Sequence, residues 1–417
     1  MPTPSYLHKI SKNLPFYYGW IALFVAVLAM IATLPGRSIG IGLITEPLIA
    51  DFGISRTEFA AMIFWATIAG ALFSLLVGPA IDRFGGRWVL TFVLVALGLC
   101  VVSIGGASQA AYLLPLWILT RGFGQSALSA TSLTIVGKWF AKRLSLAMGV
   151  FAVTISIGFT IVILWAGGSV EALGWRTVWS AIGFSILGLA VIVVLLMRRS
   201  PETLGLPVDG LAADETVVSE SIQDKNADTF FGAMMHPAFW GFAVGSAAYN
   251  LVISGVTLLN ESILGELGFA EYFQYAMGAY AFFGLLGNLI ADKLAKRFGL
   301  KRLMAVAMLF VSAALLGYPY LNSLPAIIAH GALLGLAGGV VMVVFFASFG
   351  SYFGRLHLGK IQGTAQVLAV LGSATGPLMM SYVFDSYGSY APAFYALSPV
   401  LLACGLFAWW MPSAIDD

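Results

Sequence analysis

Charge is scarce in this chain. Of its 417 residues only 10% are Asp, Glu, Lys or Arg, while 60% are hydrophobic. Ordinary soluble domains carry roughly 25% charged residues, so a water-soluble globular protein is excluded. The basic residues are scattered through short breaks between apolar runs, which excludes a nucleic-acid surface. Cysteine is nearly absent. Cys100 and Cys404 are the two present, each inside an apolar run and far from the other, and both are read as small packing residues rather than a disulfide. With four His and two Cys no cluster has metal-ligand spacing, so no metal is expected. No G-x-x-x-x-G-K-[ST] phosphate loop occurs, and no Ser, Cys or His stands in a nucleophile–base pattern. The expectation is therefore a non-enzyme without cofactors. A cleavable leader is not expected: His8, Lys9 and Lys12 are followed by an apolar run from Phe16 to about Ile49. That run outlasts a signal core of about 7–15 residues.

What the chain has instead is long apolar runs. Twelve are read between charged breaks, at 17–45, 57–80, 88–106, 112–137, 145–167, 176–197, 238–262, 271–291, 303–320, 325–348, 362–384 and 392–411. Each is long enough for a helix crossing a hydrocarbon core, which takes about 20 residues. One long polar segment separates the first six from the second. It runs from Arg198 to His236 and carries Glu202, Asp209, Asp214, Glu215, Glu220, Asp224 and Asp228, the composition of a solvated linker. The expected organisation is residues 1–197, an acidic linker at 198–236, and residues 237–417. Of the 21 Lys and Arg residues, 17 fall in the N-terminus and the loops after even-numbered runs. By the positive-inside rule both termini and the linker then face the cytoplasm.

The two halves repeat. Asp82-Arg83-Phe84-Gly85-Gly86-Arg87 after the second run is answered by Lys296-Arg297-Phe298-Gly299-Leu300-Lys301 after the eighth, 214 positions later. Trp139-Phe140 and Gly149 are answered by Tyr352-Phe353 and Gly363. A repeat across a polar linker predicts two related six-helix bundles with a path between them.

Gly78-Pro79-Ala80-Ile81 leading into Asp82–Arg87 resembles the signature that the major facilitator superfamily carries between its second and third spans. Several other segments resemble the superfamily's bacterial monocarboxylate and oxalate–formate-type branch. They are Tyr18-Gly19-Trp20, Asp51-Phe52-Gly53-Ile54-Ser55-Arg56, Lys138-Trp139-Phe140, Gly174-Trp175-Arg176 and Pro201 to Pro207, in that order. The resemblance implies an all-α membrane protein of twelve transmembrane helices in two pseudo-symmetric bundles, working by alternating access. It departs from that branch in lacking an Asp and Arg in the eighth run and a basic residue in the eleventh.

Arg37 follows Pro35-Gly36 within the first run, where a cation is costly in lipid and should face a watery cavity. Its planar fork suits a carboxylate, and the resemblance places a first-span cation after a Pro in the same role. The alternatives are a side chain that snorkels outward or pairs with Glu46. Arg121 in the fourth run is a second substrate candidate, with a purely structural role as its alternative. His330 in the tenth run occupies the place of Arg121 in the repeat. It is a proton carrier, or else a neutral hydrogen-bonded group. Glu261 at the outer end of the seventh run is the other proton candidate, its alternative being a solvated rim carboxylate. Tyr249, Asn250, Tyr275 and Tyr280 offer uncharged hydrogen bonds to substrate, and Phe345 and Phe346 an apolar wall. Asp82, Arg83 and Arg87 are expected to form a conformational gate, the carboxylate meeting a helix N-terminus near Gln362. The expected function is transport of a small organic anion, monocarboxylate-like, by proton linkage or exchange, in a bacterial inner membrane and as a monomer. Alternatives are an exporter of amphipathic compounds and a non-transporting receptor or scaffold of the same fold. The expected partners are the anion, protons and the lipid bilayer, with no nucleic acid.

Overall fold

A computed structural model describes residues 17–140, 143–198, 201, 206, 230–353 and 358–412. Most of the acidic linker lies outside them. The described residues are helical and contain no strand. Eight helices are long and apolar enough to cross a membrane. They are α6 (Gly86–Gly105), α9 (Leu144–Leu173), α10 (Trp175–Leu196), α12 (Pro237–Leu258), α15 (Leu300–Gly317), α16 (Leu324–Phe353), α17 (Leu358–Tyr387) and α18 (Ala391–Trp410). Large apolar side chains such as Trp65, Phe92, Phe184 and Leu195 are more than 60% exposed, as expected of a surface solvated by lipid rather than water.

The other four expected spans depart from single apolar helices. α14 (Phe273–Phe298) is continuous, but Gln274, Tyr275, Tyr280 and Asn288 dilute its hydrophobicity. The first run breaks into α1 (Gly19–Ile31), a 3₁₀ turn at Leu34–Gly36 and α2 (Ser38–Gly42), with α3 (Thr45–Phe52) beyond. Pro35 explains the break, because its ring clashes with the carbonyl four residues back, at Ile31, where α1 ends. The second run divides at Leu72 into α4 (Arg56–Ala71) and α5 (Phe73–Phe84). There the Ser74 hydroxyl donates to the Ala71 carbonyl at 2.7 Å, in competition with the helical ladder. The fourth run is α7 (Leu113–Thr120), a π-helical segment at Arg121–Leu128 and α8 (Ser129–Trp139). Two short helices complete the set, α11 (Phe230–Met235) and α13 (Asn260–Glu266).

The chain divides into two compact units. Unit 1 comprises residues 1–37, 69–158 and 172–222, and unit 2 comprises 38–68, 159–171 and 223–417. In unit 1, α6 packs on α10 and α1 on α8. The Tyr18 hydroxyl fastens α1 to the Leu196 carbonyl at 2.6 Å. In unit 2, α14 packs on α16, α12 on α17 and α15 on α18, while α2 lies against α12. Glycines permit the closest of these approaches. A Cβ on Gly335 would sit 2.3 Å from the Tyr280 carbonyl oxygen, and one on Gly42 2.0 Å from that of Thr257.

The repeat extends into backbone torsions. Six described glycines have positive φ, and they fall into three pairs: Gly53 (φ 63°) with Gly268 (φ 82°), Gly85 (84°) with Gly299 (80°), and Gly174 (80°) with Gly388 (68°). The members of each pair stand 214 or 215 positions apart. Gly85 and Gly299 share ψ as well, at 150° and 154°, a region essentially restricted to glycine. Each of these two opens the helix that follows, α6 or α15, which is the reason the Phe-Gly turns recur after α5 and α14.

Candidate functional site

Unit 1 gathers two guanidinium groups. Arg37 follows the 3₁₀ turn in extended backbone, φ −103° and ψ 149°, so the Pro35 break carries its side chain out of the helical register. Its Nε donates to the Thr33 hydroxyl at 2.7 Å, and its Nη2 donates to the Ser129 hydroxyl at 3.0 Å and approaches the Met30 sulfur at 3.4 Å. The Thr33 hydroxyl in turn donates to the Met30 carbonyl at 2.6 Å. Arg37 therefore bridges α1 to the start of α8 through neutral oxygens, and it is half-buried.

Arg121 opens the π segment and is 1% exposed. Its Nη1 donates to Gln125 Oε1 at 2.5 Å. The two arginines are carried on segments that touch, the residue before Arg37 packing on the backbone on either side of Arg121. Small residues bring them together. A Cβ on Gly36 would meet the Thr120 carbonyl oxygen at 2.7 Å and the Gln125 amide at 2.9 Å, and one on Gly70 would meet Arg121 Cβ at 2.9 Å. First, second and fourth spans thus cross glycine-first around two cations, an electrostatic arrangement that an anion would relieve. Sequence reasoning selected both arginines but missed Thr33 and Ser129, which support Arg37, and Gln125, which supports Arg121. The spacing of Gln125 and Ser129, four and eight residues beyond Arg121, was the available signal.

Unit 2 holds uncharged hydrogen-bonding groups. Tyr249 of α12 and Tyr280 of α14 meet hydroxyl to hydroxyl at 3.3 Å, over Gly338 of α16, where a Cβ would fall 2.1 Å from the Tyr249 oxygen. Asn250 is turned back on its own helix, donating to the Ser246 carbonyl at 2.8 Å. Phe345 is buried edge-on against Phe349, whereas Tyr275 and Phe346 are exposed. His330 lies in α16 beside the backbone of Ala314 on α15.

α12 ends at Leu258, so Glu261 falls in α13, beyond the span. Around it unit 2 collects charges from three other elements: Glu46 of α3, Arg56 of α4 and Glu171 of α9. Arg56 binds Glu46 through two hydrogen bonds, 3.0 Å from Nε and 2.6 Å from Nη2, and its guanidinium covers the Phe384 ring at 5.0 Å. Thr57 donates to Asp385 beside it at 2.5 Å. Burial first, and the Glu46 and Glu171 carboxylates second, push Glu261 up to about 7, with Arg56 opposing them. Glu266 differs: it accepts from the Tyr390 amide at 2.9 Å and from the Ser389 hydroxyl, capping the start of α18.

Of the expected gate, the side chain of Asp82 lies outside the described residues. Arg83 is exposed, and Arg87 donates to the Val194 carbonyl of α10.

The family profile described as Major Facilitator Superfamily matches residues 19–270 and again 241–414. Among curated proteins the chain is similar to a hexuronate transporter of Bacillus subtilis (strain 168), 26% identical over 385 residues, covering 87% of this chain and 86% of the relative. It is also similar to an MFS-type efflux pump of Mycolicibacterium smegmatis, 25% identical over 95% of this chain and 93% of that one. Among solved structures it resembles a bacterial homologue of the human lysosomal transporter Spinster with a TM-score of 0.66 and 16% identity. That match covers 94% of this chain and 95% of the other.

Proposed function

Since the chain belongs to the Major Facilitator Superfamily and is a multi-pass membrane transporter rather than an enzyme, we propose that its cargo is a small organic anion, monocarboxylate-like, carried by alternating access. The observation that carries this proposal is the pair of guanidiniums in unit 1. Arg37 and Arg121 are like charges on touching segments of a packed bundle, and an anion bound to both would lower the energy of the pair while gaining charge-assisted hydrogen bonds. Thr33 and Ser129 hold Arg37 so that its fork is ordered before cargo arrives. The likeness to a hexuronate transporter, whose name denotes an anionic cargo, fits this direction. Within unit 2, Tyr249 and Tyr280 are the hydrogen-bonding groups proposed for cargo.

Coupling is assigned to a proton on Glu261, which titrates near neutrality among Glu46, Glu171 and Arg56. Protonation there removes one of three crowded carboxylates and tightens the packing of the first-half segments of unit 2 on α13. The bundles divide at the acidic linker, 1–197 and 237–417, with both termini cytoplasmic in a bacterial inner membrane. The working unit is one chain.

Counterflow of lactate- or pyruvate-type monocarboxylates in proteoliposomes tests the assignment. Arg37→Ala is expected to raise the half-saturating concentration about 10- to 100-fold, the loss of a charged hydrogen-bonding partner of about 1.5–3 kcal/mol. Arg37→Lys keeps a point charge and retains part of the activity. Wild-type counterflow in Arg37→Ala would remove the anion assignment. The similarity to an efflux pump along 95% of the chain favours a second reading, an exporter of amphipathic compounds. A thermal-shift screen in which bulky apolar ligands stabilise the protein and carboxylates do not would select it.

A further inference from the structure

α15 and α18 of unit 2 hold each other closely at one level. Ser312 and Ser398 share a buried hydroxyl contact at 2.5 Å, and a Cβ on Gly405 would meet Met308 Cβ at 3.2 Å. Nearer to Leu300 and Trp410 the same two helices leave an open groove. Its walls are Ala305, Val306 and Leu309 on α15 with Leu402, Leu406 and Trp409 on α18, over a floor at Gly405. Every one of these residues is apolar, and the spacings of three, four and seven keep them on one face of each helix. Val306, Leu309, Leu406 and Trp409 are all exposed.

One end of the groove is charged. Arg302 precedes Ala305 and Val306 on the same face of α15, and its guanidinium lies 5.7 Å over the ring of Trp409, itself a wall of the groove. The neighbouring Lys301 ammonium reaches the Met411 carbonyl at the end of α18 at 3.1 Å. An apolar furrow that runs into two cations and an indole is complementary to an amphiphile with a negatively charged head. On a membrane-spanning helix pair the molecule of that chemistry always at hand is a phospholipid.

We propose that this groove is a binding site for an anionic phospholipid, one acyl chain lying between α15 and α18 and the phosphate held by Arg302 and Lys301. The acyl chain gains no hydrophobic transfer energy on leaving bulk lipid, so fit supplies retention and the cations supply selectivity. Trp409, apolar in body and polar at its N–H, suits the level where tail meets head. The site is independent of the cargo, because none of its residues belongs to the arginine pair, the tyrosine pair or the Glu261 cluster.

Native mass spectrometry of the full chain, titrated with phosphatidylglycerol and phosphatidylcholine of identical acyl chains, tests it. The wild-type chain should retain the anionic lipid in preference. R302Q should weaken phosphatidylglycerol retention about fivefold and weaken that of phosphatidylcholine, whose ammonium offsets its phosphate, by less, so that the preference is lost. V306W, which fills the groove, should weaken both, with thermal unfolding confirming that each variant is folded. Glycerol 3-phosphate, a head without tails, should not displace the lipid. Equal retention of the two lipids, a preference that survives R302Q, or displacement by glycerol 3-phosphate overturns the proposal. So does a protein dimer that V306W abolishes, for that outcome assigns the groove to a second copy.

Discussion

The Arg37 side chain owes its usefulness to two hydroxyls. Removing the Ser129 hydroxyl should leave the fold intact, since the guanidinium keeps its bond to Thr33, but it frees the Nη2 end of the fork. Ser129→Ala is therefore expected to raise the half-saturating anion concentration about 3- to 10-fold in counterflow with an unchanged melting temperature. A drop in stability with unaltered transport would assign Ser129 to architecture alone. In unit 2, Gly338 is the residue on which the tyrosine pair depends. Gly338→Ala would place a methyl group 2.1 Å from the Tyr249 oxygen, so the ring must rotate and the contact with Tyr280 must open. The expected result is weaker cargo binding with a stability loss of about 1–3 kcal/mol. Tyr280→Phe should reproduce the binding defect without the stability loss, as read by thermal shift with and without substrate.

At the scale of elements, the helices were legible in the sequence and their interruptions only partly so. Apolar runs bounded by charge announce a span because lipid tolerates little else, and Pro35 announces the first break by removing a donor. The π segment at Arg121–Leu128 gave no such notice. Its glycines loosen a helix without saying whether the next carbonyl accepts four or five residues on. The break at Leu72 was equally silent, since Ser74 could have stayed solvent-facing in a continuous helix. Pairings across spans, such as Tyr249 with Tyr280 or His330 with Ala314, depend on how each helix is rotated about its axis, and one sequence does not fix that rotation. Interruption and crossing are connected at Gly36. A side chain there meets backbone rather than a movable terminus, at Thr120 and Gln125. Gly36→Val should consequently separate the first and fourth spans and cost about 1–3 kcal/mol or more, measurable as a lowered melting temperature and lost counterflow together. Gly137→Val, at a position where a Cβ meets nothing within 4 Å, is the control expected to retain stability.

Across the whole molecule, acidity and duplication leave separate signatures. Glu261 binds its proton up to about pH 7, well above a free glutamate at about 4.3. Its charged form is thus disfavoured in the folded protein, and stability should decline as pH rises through that interval. Glu261→Gln should flatten melting temperature against pH between about 5 and 8 and remove any proton dependence of counterflow. A wild-type curve that stays flat there would set the Glu261 assignment aside. Duplication is recorded elsewhere, in the three glycine pairs with shared torsions. A β-carbon at such a position costs about 1–3 kcal/mol whatever the neighbours, so Gly85→Ala and Gly299→Ala should be comparably harmful. A complete substitution profile of this chain, laid over a copy of itself displaced by 214 residues, should then coincide at those turns and fall out of step at Arg37, Arg121 and Glu261. Where the two traces agree, selection acts on an inherited scaffold; where they part, it acts on what that scaffold was recruited to carry.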